Sequence, residues 1–262
     1  MKKNKSKHGK MRNNKIRIVL SVVLLVIIIV CGVWTYQYFQ SNKKSKEMSS
    51  LLDTTTPPAE VPKEKTERMI KVEELQKENQ DIIGWLQIID TNIDYPVLQA
   101  TDNSFYLTHD YKKEYSAYGS LFLDKDYDFN LPSSNLLIYG HRNKQGLMFE
   151  DLMKYQNEDF YKQHPTIRFT TDKEDVSYEI ISVFKSRVYY KSEKNVFRYY
   201  YFVNASSEEE YNSFVEQAKQ VALYDTGKSA NYGEQLLTLS TCEYSQQDGR
   251  FVVVAKKIPN ND

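Results

Sequence analysis

The sequence contains two cysteines, and they stand in very different surroundings. Cys31 lies within a long apolar run, whereas Cys242 closes the strand-like segment 236–241. A catalytic thiol reacts as its thiolate, so a base or a positive charge must lie near it in the fold. A buried, unreactive cysteine is the other reading of such a residue. Cys242 is therefore a candidate nucleophile if suitable partners can reach it.

One of the four histidines is well placed to exchange a proton with this thiol. Three lie in basic or polar surroundings and are interpreted as cytoplasmic or surface residues: His8, His109 and His164. His141 instead follows the apolar segment 136–139 and a glycine, and a polar loop comes after it. Cys242 has the same placement at the end of a strand. We therefore expect His141 and Cys242 to meet at one rim of a barrel, although 101 positions separate them in the sequence.

Arg250 is the candidate for stabilising negative charge. It precedes the apolar segment 251–255 and lies eight residues after Cys242. If the two strands are neighbours joined by a short loop, Arg250 returns to the same rim as the thiol. Its guanidinium stays protonated and can donate to the oxygen of a tetrahedral intermediate. Considered alone, Arg250 would be interpreted as an ordinary solvated charge.

These residues need a scaffold of strands that brings their ends together. The strand-like segments are 84–90, 93–98, 119–123, 135–139, 166–170, 176–185, 235–240 and 251–256. Thr91 and Asn92 predict a hairpin between the first two. About eight strands with few helices predict a mainly β (α+β) fold, a barrel or a sandwich, rather than a doubly wound parallel sheet.

Three helical segments accompany the strands. Apolar spacing predicts an amphipathic helix from Glu67 to about Asn79 and a short helix over residues 149–155. A longer helix is predicted over residues 207–223, where Ser207 can cap the first turn. Its apolar face comprises Tyr211, Phe214, Val215, Ala218 and Val221.

The N-terminal segment predicts one transmembrane helix. The first 17 residues carry eight basic side chains and no acidic one, and residues 18–34 carry no charge. Seventeen helical residues span roughly 26 Å, enough for the core of a bilayer. Aromatic residues follow up to Phe39, as is typical of a membrane interface. A cleaved signal peptide has a shorter apolar core and small residues at its exit, and a lipoprotein signal would not place Ile29 and Val30 before Cys31.

The predicted organisation is a basic cytoplasmic tail (1–17), a transmembrane anchor (18–39), an extracellular stalk (40–66) and a catalytic domain (67–262). Basic residues stay on the cytoplasmic side, so the N-terminus should be inside and the domain outside the cell membrane. The stalk is polar, rich in Ser and Thr, and contains three prolines. Cys242 is then the only exported cysteine, which excludes an intramolecular disulfide.

Charge and motifs exclude several other functions. Eight of the 35 basic residues lie in the N-terminal tail, which leaves 27 against 35 acidic residues, a net charge of −8. Such a body is poorly suited to nucleic acid. The triplet Asp124, Asp126 and Asp128 begins like a calcium loop, but Phe129 replaces the glycine and Asn135 the final glutamate. No metal and no cofactor are expected.

The motifs resemble those of the sortase family over roughly residues 67–258. The matching elements are Thr238-Leu239-Ser240-Thr241-Cys242 with the trailing Arg250, Tyr139-Gly140-His141, Gly84-Trp85-Leu86 and Asp94-Tyr95-Pro96-Val97. Four features are similar to class B in particular: the N-terminal anchor, the segment 102–107, Cys242-Glu243-Tyr244, and the long helix between the sixth and seventh strands.

The resemblance implies a closed eight-stranded barrel and a cysteine transpeptidase. Cys242 would attack the threonine carbonyl of an Asn-Pro-x-Thr-like sorting signal, and His141 would protonate the leaving amine. Arg250 and the backbone N–H of Glu243 would hold the oxyanion. The residues implied to line the substrate groove are Asn103, Leu107, Tyr139 and Ser240. The acceptor would be an amine of cell-wall peptidoglycan or a pilin lysine.

Two other functions compete with this interpretation. A cell-wall cysteine hydrolase or cross-linking transpeptidase also uses Cys and His, but it would take a peptidoglycan stem peptide as donor. A non-catalytic membrane-anchored surface module would not need the thiol of Cys242. The pattern of Thr241, Cys242 and Arg250 favours the sortase interpretation over both.

Overall fold

The computed structural model describes residues 5–49, 65–129 and 135–259. In these residues the chain forms four α-helices, eight strands and three 3₁₀ helices. The α-helices are α1 (Lys5–Ser49), α2 (Glu67–Glu78), α3 (Glu158–Gln163) and α4 (Glu208–Gln220). The strands are β1 (Ile82–Gln87), β2 (Asp94–Leu98), β3 (Leu121–Leu123), β4 (Asn135–Tyr139), β5 (Thr166–Thr170), β6 (Asp175–Arg187), β7 (Leu236–Cys242) and β8 (Gly249–Lys257). The 3₁₀ helices are Phe105–Leu107, Asp151–Gln156 and Tyr199–Tyr201.

The strands close into a barrel in the order β1-β2-β3-β4-β7-β8-β6-β5, with β5 returning to β1. The pairs β2–β3 and β4–β7 are parallel, and the other pairs are antiparallel. The predicted closed eight-stranded barrel is therefore confirmed. The predicted hairpin joins β1 to β2, with Trp85 opposite Pro96.

Strand β7 lies between β4 and β8 and is almost entirely buried. Six of its seven residues are buried, because one face fills the barrel and the other is covered. A short strand that is buried on both faces has a nearly continuous run of apolar residues in its sequence. Leu236 to Leu239 form such a run, interrupted by Thr238. Thr238 satisfies its hydroxyl by donating to Asn135 Oδ1 at 2.8 Å. This arrangement fixes the position of the C-terminal end of β7.

Helix α4 covers one side of the barrel. Ser207 caps it by accepting from the N–H of Glu210 at 3.2 Å. The buried face consists of Tyr211, Phe214, Val215 and Ala218. The predicted helix is wrong at its end, because α4 stops at Gln220 and Val221 is 43% exposed. The C-cap N–H of Val221 bonds back to Gln217 and Lys219, and the chain then leaves the helix.

Helix α2 is joined to the barrel by a buried ionic network. Arg68 is 3% exposed and lies 3.6 Å from Asp94, which accepts from Trp85 Nε1 at 2.6 Å. Arg168 makes two bonds to Asp175, at 2.8 and 2.5 Å. Burial raises the pKa of Asp94 above its usual value, the largest effect on that carboxyl. The network therefore joins α2 to β1, β2, β5 and β6.

Helix α1 extends further than the predicted anchor. Among the residues whose side chains are described, which begin at Val23, the part that could cross a membrane by length and composition is Val23–Lys44; the predicted anchor was 18–39. The helix continues to Ser49, which is ten residues into the segment predicted as an irregular stalk. Lys43 and Glu47 form an i,i+4 ion pair of 3.6 Å along this extension. Residues 50–64 of the predicted stalk lie outside the described residues.

Candidate active site

Three adjacent strands bring the predicted catalytic residues to one rim of the barrel. Cys242 is paired with Arg250 in the antiparallel β7–β8 ladder. In the parallel β4–β7 pair, Tyr139 is opposite Ser240. His141 lies two residues past Tyr139, beyond the end of β4, and Cys242 lies two residues past Ser240, at the end of β7. The nucleophile candidate thus has the histidine on one side and the arginine on the other.

The ring of His141 is held by a backbone carbonyl that the sequence did not indicate. Nε2 of His141 lies 2.8 Å from the carbonyl oxygen of Leu107, at the end of the 3₁₀ helix Phe105–Leu107. A carbonyl oxygen can only accept, so Nε2 is the protonated nitrogen. In the neutral ring Nδ1 is then unprotonated and available to exchange a proton.

Close packing behind His141 requires a glycine at position 140. A Cβ built on Gly140 would lie 2.4 Å from Leu121 and 2.6 Å from the ring of Phe149. The N–H of Phe149 also donates to the carbonyl of His141 at 2.9 Å. Thr241 donates its hydroxyl to the carbonyl of Gly140 at 2.8 Å and so ties the end of β7 to the end of β4. The chain therefore has little freedom where His141 leaves the strand.

Cys242 is a free, half-buried thiol at the end of β7. Cys242 and Arg250 both contribute to the pKa shifts of two nearby tyrosines. Burial raises the pKa of Tyr199, and Cys242 adds to this effect while Arg250 opposes it. Burial likewise raises the pKa of Tyr244; Cys242 raises it further, and Arg250 lowers it. Both rings therefore lie within electrostatic range of the thiol and the guanidinium.

Arg250 is oriented by the backbone of its own loop. Its Nη1 donates to the carbonyl of Gly249 at 2.9 Å and to that of Asp248 at 3.2 Å. Asp248 is in the left-handed region with φ of 54°, so the turn folds back tightly. A guanidinium has five N–H donors. Donors on the other nitrogens therefore remain for a negatively charged oxygen near Cys242.

Glu243 has a different environment from the one implied by the resemblance. Its backbone N–H donates to the carbonyl of Gly249 at 2.9 Å, because β7–β8 pairing continues past Cys242. Its buried carboxylate accepts from Ser245 N at 3.0 Å and lies 3.5 Å from Lys185 Nζ. Burial alone would raise the pKa of this carboxyl, but the Ser245 bonds and the Lys185 charge lower it. The N–H expected to hold an oxyanion is thus already bonded within the loop.

Two of the predicted groove residues share one buried carboxylate. Asp124 is 4% exposed and accepts from Asn103 Nδ2 at 2.9 Å and from the Tyr139 hydroxyl at 3.1 Å. Burial raises the pKa of Tyr139, with Asp124 as the second contribution. Asp124, the first residue of the calcium-like triplet, therefore accepts hydrogen bonds from two side chains. Among the described residues no group of His, Cys, Asp or Glu could hold a metal ion.

The other two groove residues differ in accessibility. Leu107 is 36% exposed beside His141, so its side chain can meet a ligand. Ser240 is 1% exposed, and its hydroxyl is hydrogen-bonded to that of Tyr199 at 2.7 Å. Ser240 therefore supports Tyr199 instead of lining an open surface.

Tyr244 connects the segment after Cys242 to the segment after His141, and sequence reasoning missed this contact. The guanidinium of Arg142 lies 5.1 Å from the centre of the Tyr244 ring. The Tyr244 hydroxyl donates to the carbonyl of Arg142 at 3.3 Å. Arg142 is itself ion-paired with Glu150 at 3.2 Å. Each of the two residues lies within two positions after a catalytic candidate, and this closeness was the signal in the sequence that could have revealed the contact.

A cavity of about 980 Å³ lies away from this rim. It is lined near the start of β7 by aromatic residues, among them Tyr127, Phe129, Tyr211 and Tyr232. None of the three catalytic candidates lines it. Seven strand residues span roughly 23 Å, so the cavity and Cys242 lie at opposite ends of β7. The chemistry is therefore assigned to the rim and not to the cavity.

Comparison with known proteins gives consistent matches across the barrel. A family model of the sortase domain matches residues 86–258. Sortase B of Listeria monocytogenes is 35% identical over 190 residues, which cover 72% of this chain and 74% of that protein. The structure of sortase B from B. anthracis in complex with AAEK1 matches with a TM-score of 0.67 and 32% identity, covering 86% of this chain and 99% of that one. The Staphylococcus aureus sortase B–substrate complex matches with a TM-score of 0.64 and 26% identity, covering 84% and 94% of the two chains.

Proposed function

The chain belongs to the sortase family as a class B sortase, a cysteine transpeptidase, and we propose that it joins surface proteins bearing an Asn-Pro-x-Thr-like signal to an amine of the cell wall. The observation that supports this most directly is the position of Cys242 at the end of β7, which lies between β4, just before His141, and β8, which carries Arg250. The S. aureus relative forms a substrate complex, which favours a peptide substrate for this rim as well.

In the first half of the reaction, Nδ1 of His141 takes the thiol proton of Cys242, and the resulting thiolate attacks the carbonyl carbon of the signal's threonine. The peptide bond breaks, a thioester forms, and His141 gives its proton to the departing amine. In the second half, an acceptor amine attacks the thioester carbonyl and loses its proton to His141. The Cys242 thiolate leaves, and a new amide bond joins the surface protein to the acceptor. The bond between Leu107 and Nε2 keeps the ring oriented, so Nδ1 would carry the transferred proton.

Each half passes through a tetrahedral intermediate with a negatively charged oxygen. Arg250 is the donor that we assign to this oxygen, because within the described residues its guanidinium bonds through Nη1, to the Gly249 and Asp248 carbonyls. The N–H of Glu243 could assist only after its bond to Gly249 is broken. Asn103, Leu107 and Tyr139 are assigned to the substrate groove, whereas Ser240 and Tyr199 are bonded to each other in the interior.

The domain is proposed to lie outside the cell on a single-pass anchor, with the N-terminus in the cytoplasm. Support comes from the apolar helical span Val23–Lys44 and from the eight basic residues that precede it. Protease added to intact protoplasts should remove the domain and leave residues 1–17 protected. Mature protein in the medium that begins near residue 35 or later would contradict this topology.

The function is tested by incubating the full-length chain in detergent with a peptide mixture and several amines, followed by mass spectrometry. We expect cleavage after threonine in Asn-Pro-x-Thr peptides and a product that carries the added amine. Consumption of a peptidoglycan stem peptide instead would support the cross-linking alternative. The Cys242→Ala variant is the control, and unchanged products with it would contradict a thioester mechanism.

A further inference from the structure

The anchor helix begins to pack against the catalytic domain where its apolar span ends. Residues 23–37 are exposed, and Tyr38 is the first described residue of α1 that is partly buried. Its ring packs edge-on against Tyr118, with centroids 6.2 Å apart. One turn later Ser41 is 2% exposed, and its hydroxyl accepts from the N–H of Ala117 at 2.9 Å. The helix therefore docks on the domain by one face.

An ion pair continues this docking face. Lys44 lies 3.3 Å from Asp110 Oδ2 and also contacts the Glu114 carboxylate. The partners of Tyr38, Ser41 and Lys44 all fall within residues 110–118, here named the interfacial loop. The spacing of three residues between the helix positions places them on one side of α1. The interfacial loop is thus one part of the domain that α1 contacts through side chains.

These contacts determine the height of the interfacial loop above a bilayer. Six residues separate Tyr38 from Lys44, which is a helical rise of about 9 Å. The headgroup layer adds roughly 5–8 Å on each side of the hydrocarbon core. Because the predicted apolar run ends at Trp34 and the predicted anchor at Phe39, the helix residues that hold the interfacial loop lie at headgroup depth or just above it.

The composition of the interfacial loop suits that depth. Its sequence contains three tyrosines and two lysines, residue types that are typical of membrane interfaces and of contact with anionic lipids. Tyr115 is 54% exposed. Lys113 is paired with Asp81 at 2.9 Å, whereas Lys112 makes no ion pair within the described parts of the chain. Lys44 offsets part of the charge of Asp110 and Glu114, the two acidic residues of the loop.

We propose that the interfacial loop is a membrane-contacting surface that rests among anionic phospholipid headgroups of the bilayer holding α1. This inference rests on the membrane anchoring proposed above. It has a consequence for the active site, because the loop is bonded to the segment that orients His141. The N–H of Ser116 donates to the carbonyl of Thr108, the residue after Leu107, at 2.9 Å. The His141 side of the rim is thereby kept at a fixed distance from the lipid surface.

Tryptophan quenching in vesicles tests this surface. The full-length chain is reconstituted in equal parts of phosphatidylcholine and phosphatidylglycerol that carry either acyl-chain bromines or a headgroup nitroxide. Native Trp34 reports insertion of the anchor, and Trp85 is fully buried and gives a constant background. With Trp34→Phe in place, Tyr115→Trp reports the interfacial loop. Tyr232→Trp is the matched control, because Tyr232 is 52% exposed and lines the distant cavity.

We expect the headgroup nitroxide to quench the Tyr115→Trp variant at least about twofold more than the Tyr232→Trp control, since interfacial residues lie among the headgroups. Adding Lys44→Glu should reduce that quenching to the control level, because a carboxylate would face Asp110 and Glu114. Equal quenching of the two tyrosine variants, with Trp34 still quenched by brominated chains, would overturn the inference and leave the anchor intact. Absence of Trp34 quenching would refute the anchoring and this inference together.

Discussion

The two sides of the active site are held by different kinds of structure. Cys242 and Arg250 are opposite each other in a regular antiparallel ladder, so backbone hydrogen bonds fix their separation. His141 lies beyond the end of β4 and depends on the Leu107 carbonyl for its ring orientation. Tyr244 and Arg142 form one side-chain link between the two sides, in addition to the bond from the Thr241 hydroxyl to the Gly140 carbonyl.

This difference indicates how each side should respond to change. A ladder tolerates side-chain substitution because its bonds are made by the main chain, so variants at Cys242 or Arg250 should alter chemistry without altering geometry. The His141 side is positioned by a few long-range contacts, so variants around it should act through the orientation of the ring. Four predictions sharpen this comparison, beginning with the largest effect on turnover.

Removing the thiol should have the largest effect. The Cys242→Ala variant should lower turnover of a fluorogenic sorting peptide to below about a thousandth, and His141→Ala should lose a similar amount, because the two residues act as a unit. The double variant should then be no worse than either single one. Steady-state rates at matched protein concentration measure this, with circular dichroism as the folding control. If either single variant kept a tenth of the turnover, its catalytic assignment would be withdrawn.

Arg250→Lys should have the next largest effect. Lysine keeps the positive charge but loses the planar fork, so kcat should fall by roughly 10²–10³, as removal of one oxyanion donor typically does. KM should change much less, because an interaction absent from the ground state does not contribute to binding. Kinetics on the same peptide separate the two parameters, provided that breakdown of the thioester is not rate-limiting. A pure rise in KM would make Arg250 a binding residue.

The sequence predicted some strands better than the contacts of the site, for a physical reason. It placed the ladder strands β7 and β8 at 235–240 and 251–256, short of Cys242 and Arg250, which the structure includes in them. β4 and β5 begin and end where their apolar runs predicted, because burial of a strand depends on its own side chains. The bond from His141 to Leu107 is made by a backbone carbonyl, which any residue type would offer. Glu243 shows the same limit, since the engagement of its N–H with Gly249 depends on how far the ladder continues.

Differences elsewhere also arise from tertiary contacts. Residues 40–49 are polar and predicted an irregular linker, but docking of Ser41 and Lys44 on the domain favours continuation of α1.

Ser240 was expected in the substrate groove because of its position in the motif. Its burial against Tyr199 depends on the segment that crosses over β7, and the strand pattern does not reveal this.

The link between the two sides should have an intermediate effect. In Tyr244→Ala, loss of the ring over Arg142 and of the hydroxyl bond removes about 1–2 kcal/mol, which should lower kcat by roughly five- to thirtyfold. Tyr244→Phe is the matched control, because it keeps the ring and loses only the 3.3 Å bond, so it should lower kcat by about twofold or less. Equal kcat values for wild type and Tyr244→Ala would show that the ladder positions both sides without this link.

The smallest effect on turnover is expected at Asp175, which belongs to neither side of the active site. A variant there tests whether the difference between the two sides concerns catalysis rather than the stability of the whole domain. Its side chain is 4% exposed and bonded to Arg168 and Thr170. Burial raises the pKa of Asp175, but these bonds and the charge of Arg168 lower it further, for a net decrease. A lowered pKa in the folded state gives stability that is fully present above the unfolded value of about 3.9 and is lost as the pH falls through the folded value.

Asp175→Asn should therefore leave kcat and KM near wild type at neutral pH while lowering the free energy of unfolding by about 3 kcal/mol, since it breaks a buried pair but keeps an acceptor. It should also flatten the loss of stability below about pH 4. Denaturant unfolding of the detergent-solubilised chain, followed by Trp85 fluorescence, measures both effects.

Asp172→Asn in the neighbouring turn is the control, because Asp172 makes no ion pair within the described residues and should change neither quantity. An Asp175→Asn variant that lost turnover at unchanged stability would show that the ionic network acts on the active site, and the separation of the two sides from the rest of the barrel would no longer hold.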